Sequence, residues 1–239
     1  MMSRYLSFDI ETSKITPEGA DVQSHRPLGI ACWAIAWLNL KGEIKTSTGH
    51  GGNDSPAAMM TREECQSLVN KLLFSVYTRG FTILTHSGVG FDFDILAEES
   101  GMHAECADLA LHSVDTCLLI HCFKGYPVGL DAIARGMGLA GKTEGMSGAL
   151  APQMWADGKF DEVLAYVAQD VRSTLEVALA IEQRRGLSWI AKSGKRNSLP
   201  IQRMLTVEEA LRLPEPDTSW MTEPMPRSRF TGWMERQAA

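Results

Sequence analysis

Two acidic residues, Asp9 and Glu11, lie at the end of the first apolar run of the chain, residues 5–12. In an extended strand successive side chains point to opposite faces, so Asp9 and Glu11 share one face while the intervening apolar residues share the other. Carboxylates on one face repel each other unless they are solvated or a cation lies between them. Mg²⁺ is bound by oxygen ligands, often carboxylates together with substrate phosphates. The strand is therefore a candidate metal platform, with a solvated acidic pair as the alternative.

The composition is that of an ordinary globular protein, with 239 residues, 44% hydrophobic and 22% charged. No apolar stretch reaches the roughly 18 residues that span a bilayer, and no signal peptide is recognisable, so no membrane partner is expected. Five cysteines without regular pairing favour a cytoplasmic location. A net charge of −6 argues against a protein that coats nucleic acid, but it does not exclude an enzyme that acts on a strand end.

The order of predicted elements indicates a mixed α/β fold, in which an antiparallel meander is followed by a parallel strand and then mostly by helices. The last fifty or so residues are rich in proline and carry Trp220, Phe230 and Trp233, which need a surface to bury against. We therefore predict a domain over residues 1–188 and a C-terminal extension, 189–239, that packs on it. The strands are predicted at 4–11, 28–39, 43–48 and 81–85, and the main helices at 61–80, 93–100, 115–123, 130–137 and 160–185.

A second acidic motif follows the strand predicted at 81–85. The segment from His86 to Leu96 begins as a glycine-containing loop and then opens a helix, so Asp92 lies near a helix N-terminus at the exit of a strand. A carboxylate is stabilised there, and ligands collect at such exits. Asp94 competes for the same role, but two residues further along a helix it points away.

A third motif lies on the longest helical pattern, where Tyr166 and Asp170 are four residues apart and share one face. Alone, such a pair is an ordinary feature of a helix surface. Together, the three motifs resemble those of the DEDD 3′–5′ exonucleases, which have the ribonuclease H-like fold: Asp9-x-Glu11, Phe91-Asp92 and Tyr166-x-x-x-Asp170. The resemblance covers roughly residues 1–185 and is to the tyrosine subtype, because Ala165 stands where the histidine subtype has His.

The resemblance implies a ribonuclease H-like mixed β-sheet flanked by helices. It also implies that Asp9, Glu11, Asp92 and Asp170 bind two Mg²⁺ or Mn²⁺ ions, while Tyr166 orients the attacking water or helps to deprotonate it. Such an ion pair can hold the attacking and leaving oxygens of a phosphoryl displacement. Family members often have Asn five residues before the second-motif Asp, where it supports the loop or the substrate; here the residue is Ser87.

We therefore predict a metal-dependent 3′–5′ exonuclease that hydrolyses single-stranded nucleic acid, DNA favoured over RNA, to nucleoside 5′-monophosphates. Its partners would be single-stranded 3′ ends, and any protein partner is unknown. The alternatives are a structure-specific endonuclease of the same fold and a non-catalytic nucleic-acid-binding module.

Three other patterns have less specific explanations. The segment 136–143 fits the phosphate-loop pattern, but it follows a predicted helix rather than a strand, which argues for coincidence. The loose His and Cys cluster of residues 103–122 lacks the paired spacing of zinc sites. Between Glu182 and Glu208 there are six basic residues and no acid. That run is either a solvated surface or a phosphate-facing patch with Trp189 available for stacking.

Overall fold

The computed structural model describes residues 4–17, 19–53, 55–141 and 147–236. The described strands and helices, in chain order, are β1 (Tyr5–Thr12), β2 (Ile30–Leu38), β3 (Ile44–His50), α1 (Arg62–Tyr77), β4 (Thr82–Thr85), α2 (Asp92–Ser100), α3 (His103–His112), β5 (Val114–Asp115), α4 (Thr116–Lys124), α5 (Leu130–Met137), α6 (Ala151–Ala156), α7 (Phe160–Arg184), β6 (Gly186–Ile190), β7 (Arg196–Pro200), α8 (Val207–Leu211) and α9 (Ser228–Thr231). No helix in these ranges is long and apolar enough to cross a membrane.

Five strands form the central sheet in the order β3-β2-β1-β4-β5. The first three are antiparallel neighbours, whereas β4 runs parallel to β1 and β5 runs parallel to β4. Helices cover both faces of this sheet. The predicted α/β class, a mixed sheet flanked by helices, is confirmed.

The two faces of β1 belong to different cores, as its alternating sequence requires. Leu6, Phe8 and Ile10 pack in a cluster with α1, α2 and α3, and the Phe8 ring centroid is 5.8 Å from that of Phe93. The opposite face of β1 lies against α7, which packs across β1, β2 and β3. Asp9 and Glu11 therefore lie between the sheet and the longest helix.

Local signals explain where the flanking helices begin. At the start of α1 the Thr61 side chain accepts the Glu64 N–H, and the Glu64 side chain accepts the Thr61 N–H, which together form a capping box. Asp115 caps α4 by accepting the Leu118 N–H at 2.9 Å, as its position predicts. Helix α7 runs unbroken for 25 residues because its apolar stripe, from Val163 to Ile181, is buried along the sheet.

The basic run contains a β-hairpin, β6–β7, that the sequence analysis missed. The idea that Trp189 is available for stacking is wrong, because its side chain is buried and lies in the core beside α5. Arg184 and Arg196 donate hydrogen bonds to the Met137 and Gly136 carbonyls at the C-terminus of α5, where cations are favourable. These two arginines therefore stabilise a helix end.

The C-terminal aromatics differ in their burial. Phe230 and Trp233 are buried, whereas the Trp220 side chain is 67% exposed. The domain boundary predicted between residues 188 and 189 stays a prediction, and β6 runs across that point. Four further elements escaped the sequence analysis: α3, β5, α6 and α9.

Candidate active site

The carboxyl end of β1 supplies two acidic side chains to one cavity. Asp9 is half-buried and Glu11 is buried, and both line a cavity of about 550 Å³ between the sheet and α7. Because β4 is parallel to β1, the loop that leaves β4 emerges at the same edge of the sheet. The acidic end of β1 and the second acidic motif are thus brought together by topology.

Asp92 begins α2 and is tied directly to β1. Its Oδ1 accepts the backbone N–H of Ile10 at 3.0 Å, which fixes the orientation of the carboxylate. A Cβ added at Gly88 would lie 2.9 Å from the Asp92 Oδ2 and 2.6 Å from the Thr85 Cβ, so only glycine fits there without displacement.

Asp94 faces away from this cavity. Its carboxylate pairs with Arg26 and Arg236, and it lines a different pocket. Of the two acids weighed in the sequence analysis, the structure thus brings Asp92, and not Asp94, to Asp9 and Glu11.

Helix α7 supplies the remaining candidates. Tyr166 and Asp170, one turn apart, are both buried and both line the cavity. All five predicted site residues are therefore lining residues of one cavity, although they come from three segments that are far apart in the sequence. Their catalytic and metal-binding roles stay predictions.

The electrostatics of the cavity are dominated by carboxylates. Burial, followed by the charges of Asp92 and Glu11, raises the pKa of Asp9 well above its usual value. Burial also raises the pKa of Asp92, although hydrogen bonds from Asp9 and from the Ile10 N–H oppose that shift. The pKa of the nearby Cys32 thiol is also raised, first by burial and then by the charges of Glu11 and Asp9. A cation would relieve this repulsion.

The donor set fits a hard divalent cation, since five carboxylates, those of the four predicted ligands and that of Asp131, line the same cavity and oxygen ligands suit Mg²⁺ and Mn²⁺. In the part of the chain that the structure describes, no group of three or more His, Cys, Asp and Glu side chains is arranged to hold a metal ion. Asp9 and Asp92 lie close enough to shift each other's pKa, and burial raises the pKa of both.

Asp115 is a buried acid whose wider role the sequence analysis missed. Besides capping α4, its carboxylate accepts the N–H groups of Ser87 and Val89 at 3.1 and 3.0 Å, and the Thr85 hydroxyl at 2.9 Å. These contacts hold the loop that connects β4 to Asp92. We define this segment, residues 86–91, as the Asp92 loop.

The Asp92 loop also contains the departure from the family pattern. Ser87 has φ +73° and ψ 5°, the left-handed conformation, which is uncommon for residues other than Gly and in which Asn is enriched. The backbone at this position therefore suits the Asn of the family better than Ser. The neighbouring His86 places Nδ1 2.7 Å from the Thr116 Oγ1, a contact that ties the loop to α4.

The C-terminal extension braces the same loop from outside. The Trp233 indole N–H donates to the Val89 carbonyl at 2.6 Å, in a buried position. A Cβ added at Gly90 would lie 3.1 Å from the Phe230 Cα, so the two segments are in close contact. A sequence pattern could not reveal these contacts, because they join residues about 140 positions apart.

The patterns given less weight place no group of residues at the cavity within the described ranges, although Cys117 of the His and Cys cluster is a lining residue. Gly136 lies inside helix α5, and residues 142 and 143 of the phosphate-loop pattern lie outside the described residues. The five cysteines are buried and free, and Cys106 and Cys122 belong to different cores. Of the basic residues between Glu182 and Glu208, none is a lining residue of the cavity within the described ranges.

Two solved structures are similar to this chain at 14% sequence identity. One is E. coli exonuclease I in complex with a dT13 oligonucleotide, with a TM-score of 0.41, and the other is an ExoI/SSB-Ct complex, with a TM-score of 0.39. Each match covers 77% of this chain and 42% of the other, so the chain spans less than half the length of those proteins. No family model and no curated protein sequence matches the chain. At this level of similarity the function has to be inferred from the cavity itself.

Proposed function

We propose that this protein is a metal-dependent nuclease that hydrolyses single-stranded nucleic acid from the 3′ end and releases nucleoside 5′-monophosphates. One observation carries the proposal: four carboxylates and a tyrosine, from β1, α2 and α7, line a single cavity. The same five residues match the DEDD motifs in order and spacing.

Asp9, Glu11, Asp92 and Asp170 would hold the divalent ions. When bound, two Mg²⁺ or Mn²⁺ ions supply Lewis-acid stabilisation to the attacking and leaving oxygens of the phosphodiester. For the protein, binding favours the ionised forms of Asp9 and Asp92, whose pKa values are raised by burial. Asp92 keeps its orientation through this change, because the Ile10 N–H continues to hold its Oδ1.

Tyr166 would position the attacking water. A phenol has an ordinary pKa near 10, so at neutral pH it donates a hydrogen bond and is a poor proton acceptor. It projects from the same face of α7 as Asp170, one turn earlier, so the water and the carboxylate are held by one rigid helix.

The test is a Mn²⁺-dependent digestion of 5′-labelled single-stranded DNA and RNA of the same sequence, together with a circular DNA. The expected result is a ladder that shortens from the 3′ end on a linear strand, while the circle stays intact. Asp170→Asn should reduce the rate by at least about 10³-fold, because it removes one ligand charge from the cavity. The matched control is Asp161→Asn, an exposed acid in the first turn of the same helix.

Three outcomes would contradict the proposal. Cleavage of the circle would favour an endonuclease. Binding of all three substrates without turnover in Mn²⁺ would favour a non-catalytic module. Equal activity of Asp170→Asn and Asp161→Asn would show that the cavity takes no part in the reaction.

A further inference from the structure

A second pocket, of about 570 Å³, adjoins the cavity of the candidate active site. Ser87, Phe91 and Pro127 line both spaces, so the two are separated only by the Asp92 loop and the segment before α5. The outer wall of the second pocket is the C-terminal segment 225–236, which lies outside the part of the chain that resembles the DEDD family. Its size is in the range of ordinary ligand pockets.

The two spaces differ in charge. The described charged residues lining the active-site cavity are all acidic, whereas the second pocket is lined by Arg229 and Arg236 as well as by Asp21 and Asp94. A polynucleotide strand leaving an acid-lined site needs cations for its next phosphates, since the chain as a whole carries −6. Of the two spaces, the second pocket is the one that offers them.

The two arginines are held differently. Arg236 pairs with the buried carboxylate of Asp94, which also binds Arg26, so Arg236 is committed to a structural contact. Arg229 lies 3.7 Å from Asp21, and both side chains are more than half exposed. Such a surface pair contributes little free energy, so Arg229 can exchange the carboxylate for a phosphate.

An aromatic side chain lies where the two spaces meet. Phe91 is only partly buried and lines both of them. Proteins that bind single strands combine cations along the backbone with aromatic side chains on which bases stack. Phe91 and Arg229 supply these two elements on adjoining sides of the second pocket.

We propose that the second pocket, walled by the C-terminal segment 225–236, binds the nucleotide that precedes the 3′-terminal one, with Arg229 on its phosphate and Phe91 against its base. This inference rests on the proposed function and extends it, because it makes the C-terminal extension part of the substrate groove.

The experiment compares two substrates. Thymidine 5′-(p-nitrophenyl phosphate) is small enough to occupy the active-site cavity alone, whereas a thymidine decanucleotide reaches the second pocket as well. Arg229→Gln should lower kcat/KM for the decanucleotide about tenfold more than for the small ester, because one charge-assisted phosphate contact is lost. The matched control is Arg212→Gln, an exposed arginine of the same extension that is paired with Glu208. It should change neither value.

Binding of the labelled decanucleotide, followed by fluorescence anisotropy, gives an independent measurement. Arg229→Gln should weaken binding and should reduce the slope of log K against log salt concentration by about 0.7, the value for one phosphate contact on a single strand. Equal binding and equal substrate ratios for Arg229→Gln and the wild type would overturn the subsite. Failure of the wild type to cleave either substrate would overturn the proposed function, and the anisotropy would still decide whether Arg229 binds the strand.

Discussion

Tyr166 is the residue whose predicted role can be separated most cleanly from the packing of the protein. Its side chain is buried against the cavity, and Phe keeps the ring while removing the hydroxyl. We expect Tyr166→Phe to lower kcat by about 10²-fold, because positioned proton-handling groups contribute 10²–10⁴-fold. KM for the strand should change little, and thermal unfolding should stay close to that of the wild type.

Tyr126→Phe is the control for this substitution. Tyr126 is partly buried, makes edge contacts with Trp189 and Trp220, and is not a lining residue of the cavity. The measurement is single-turnover digestion of a labelled strand. If kcat were the same for Tyr166→Phe and Tyr126→Phe, the Tyr166 hydroxyl would have no role in the mechanism.

Single residues show what the sequence could and could not predict. Asp9 and Glu11 share a face because strand alternation is local, and that prediction needs only the neighbouring residues. Asp115 caps α4 through an equally local contact, with a residue three positions later. Its hydrogen bonds to Ser87 and Val89 depend on how β4 and β5 pair, and no local pattern encodes that pairing.

At the scale of elements, the Asp92 loop is held from two sides. Asp115 binds it from the interior, and Trp233 and Phe230 of the C-terminal extension close it from outside. A loop that carries a candidate ligand has to be rigid, because a shift of about 1 Å can reduce a rate 10²-fold. Through these contacts with the Asp92 loop, the extension can directly influence the position of Asp92 in the cavity.

Trp233→Phe tests whether the extension affects the cavity through the Asp92 loop. It removes the indole N–H and leaves the buried Val89 carbonyl without its donor, which costs about 1–3 kcal/mol of stability. We also expect a higher Mn²⁺ concentration for half-maximal activity, because the loop beneath Asp92 is loosened. A purely structural residue would lower Tm and leave the metal requirement unchanged.

Trp220→Phe is the matched control, since Trp220 belongs to the same extension but is 67% exposed. Its indole donates to the Asp217 carbonyl at the surface, so its loss should change stability by less than about 0.5 kcal/mol. If both variants needed the same Mn²⁺ concentration as the wild type, the contact of Trp233 with the Asp92 loop would have no functional role.

Elements were predictable where their own periodicity was strong. Helix α7 and strands β1 and β2 have long apolar patterns that no nearby residue contradicts. The hairpin β6–β7 was missed because its basic residues dominated the interpretation, although Leu187 and Trp189 alternate with less buried neighbours and Gly194 marks its turn. The signal was present, but a five-residue strand is too short to outweigh the charge pattern.

At the scale of the whole molecule, the C-terminal extension joins the two cores. Phe230 packs in the cluster on the α7 side of the sheet, and Trp233, three residues later, packs in the cluster on the α1 side. Arg227 adds polar contacts, since its guanidinium donates to the carbonyls of Leu213 and Cys122. The extension thus covers the place where the two cores, on opposite faces of the sheet, meet.

His121 is a titratable residue at this closure. Its ring is buried in α4 with its centroid 5.1 Å from that of Phe230, and within the described residues its Nδ1 has no hydrogen-bond partner. Burial, and then the positive charge of Arg227, lower the pKa of His121, while the charge of Glu215 and a hydrogen bond to the Met225 backbone oppose the shift. In the folded protein the imidazole is therefore neutral at pH values where the unfolded chain is protonated.

The sign of the pH dependence follows from this difference in proton binding. Below the ordinary pKa of about 6.5, the unfolded chain takes up a proton that the folded chain does not, so the free energy of unfolding falls as the pH falls. The loss ends below the lowered pKa of the folded state. We expect urea unfolding at about pH 7.5 and about pH 5.5 to show that His121→Gln keeps more of its stability at the lower pH than the wild type does. The raised pKa values of Asp9 and Asp92 act in the opposite direction, but they contribute equally to both proteins. The control is His112→Gln, an exposed residue next to Asp108 on α3, which should keep the wild-type dependence. An identical loss of stability in all three proteins would show that His121 does not link the extension to pH, and the contacts of Arg227 and Trp233 would then have to hold the extension at every pH.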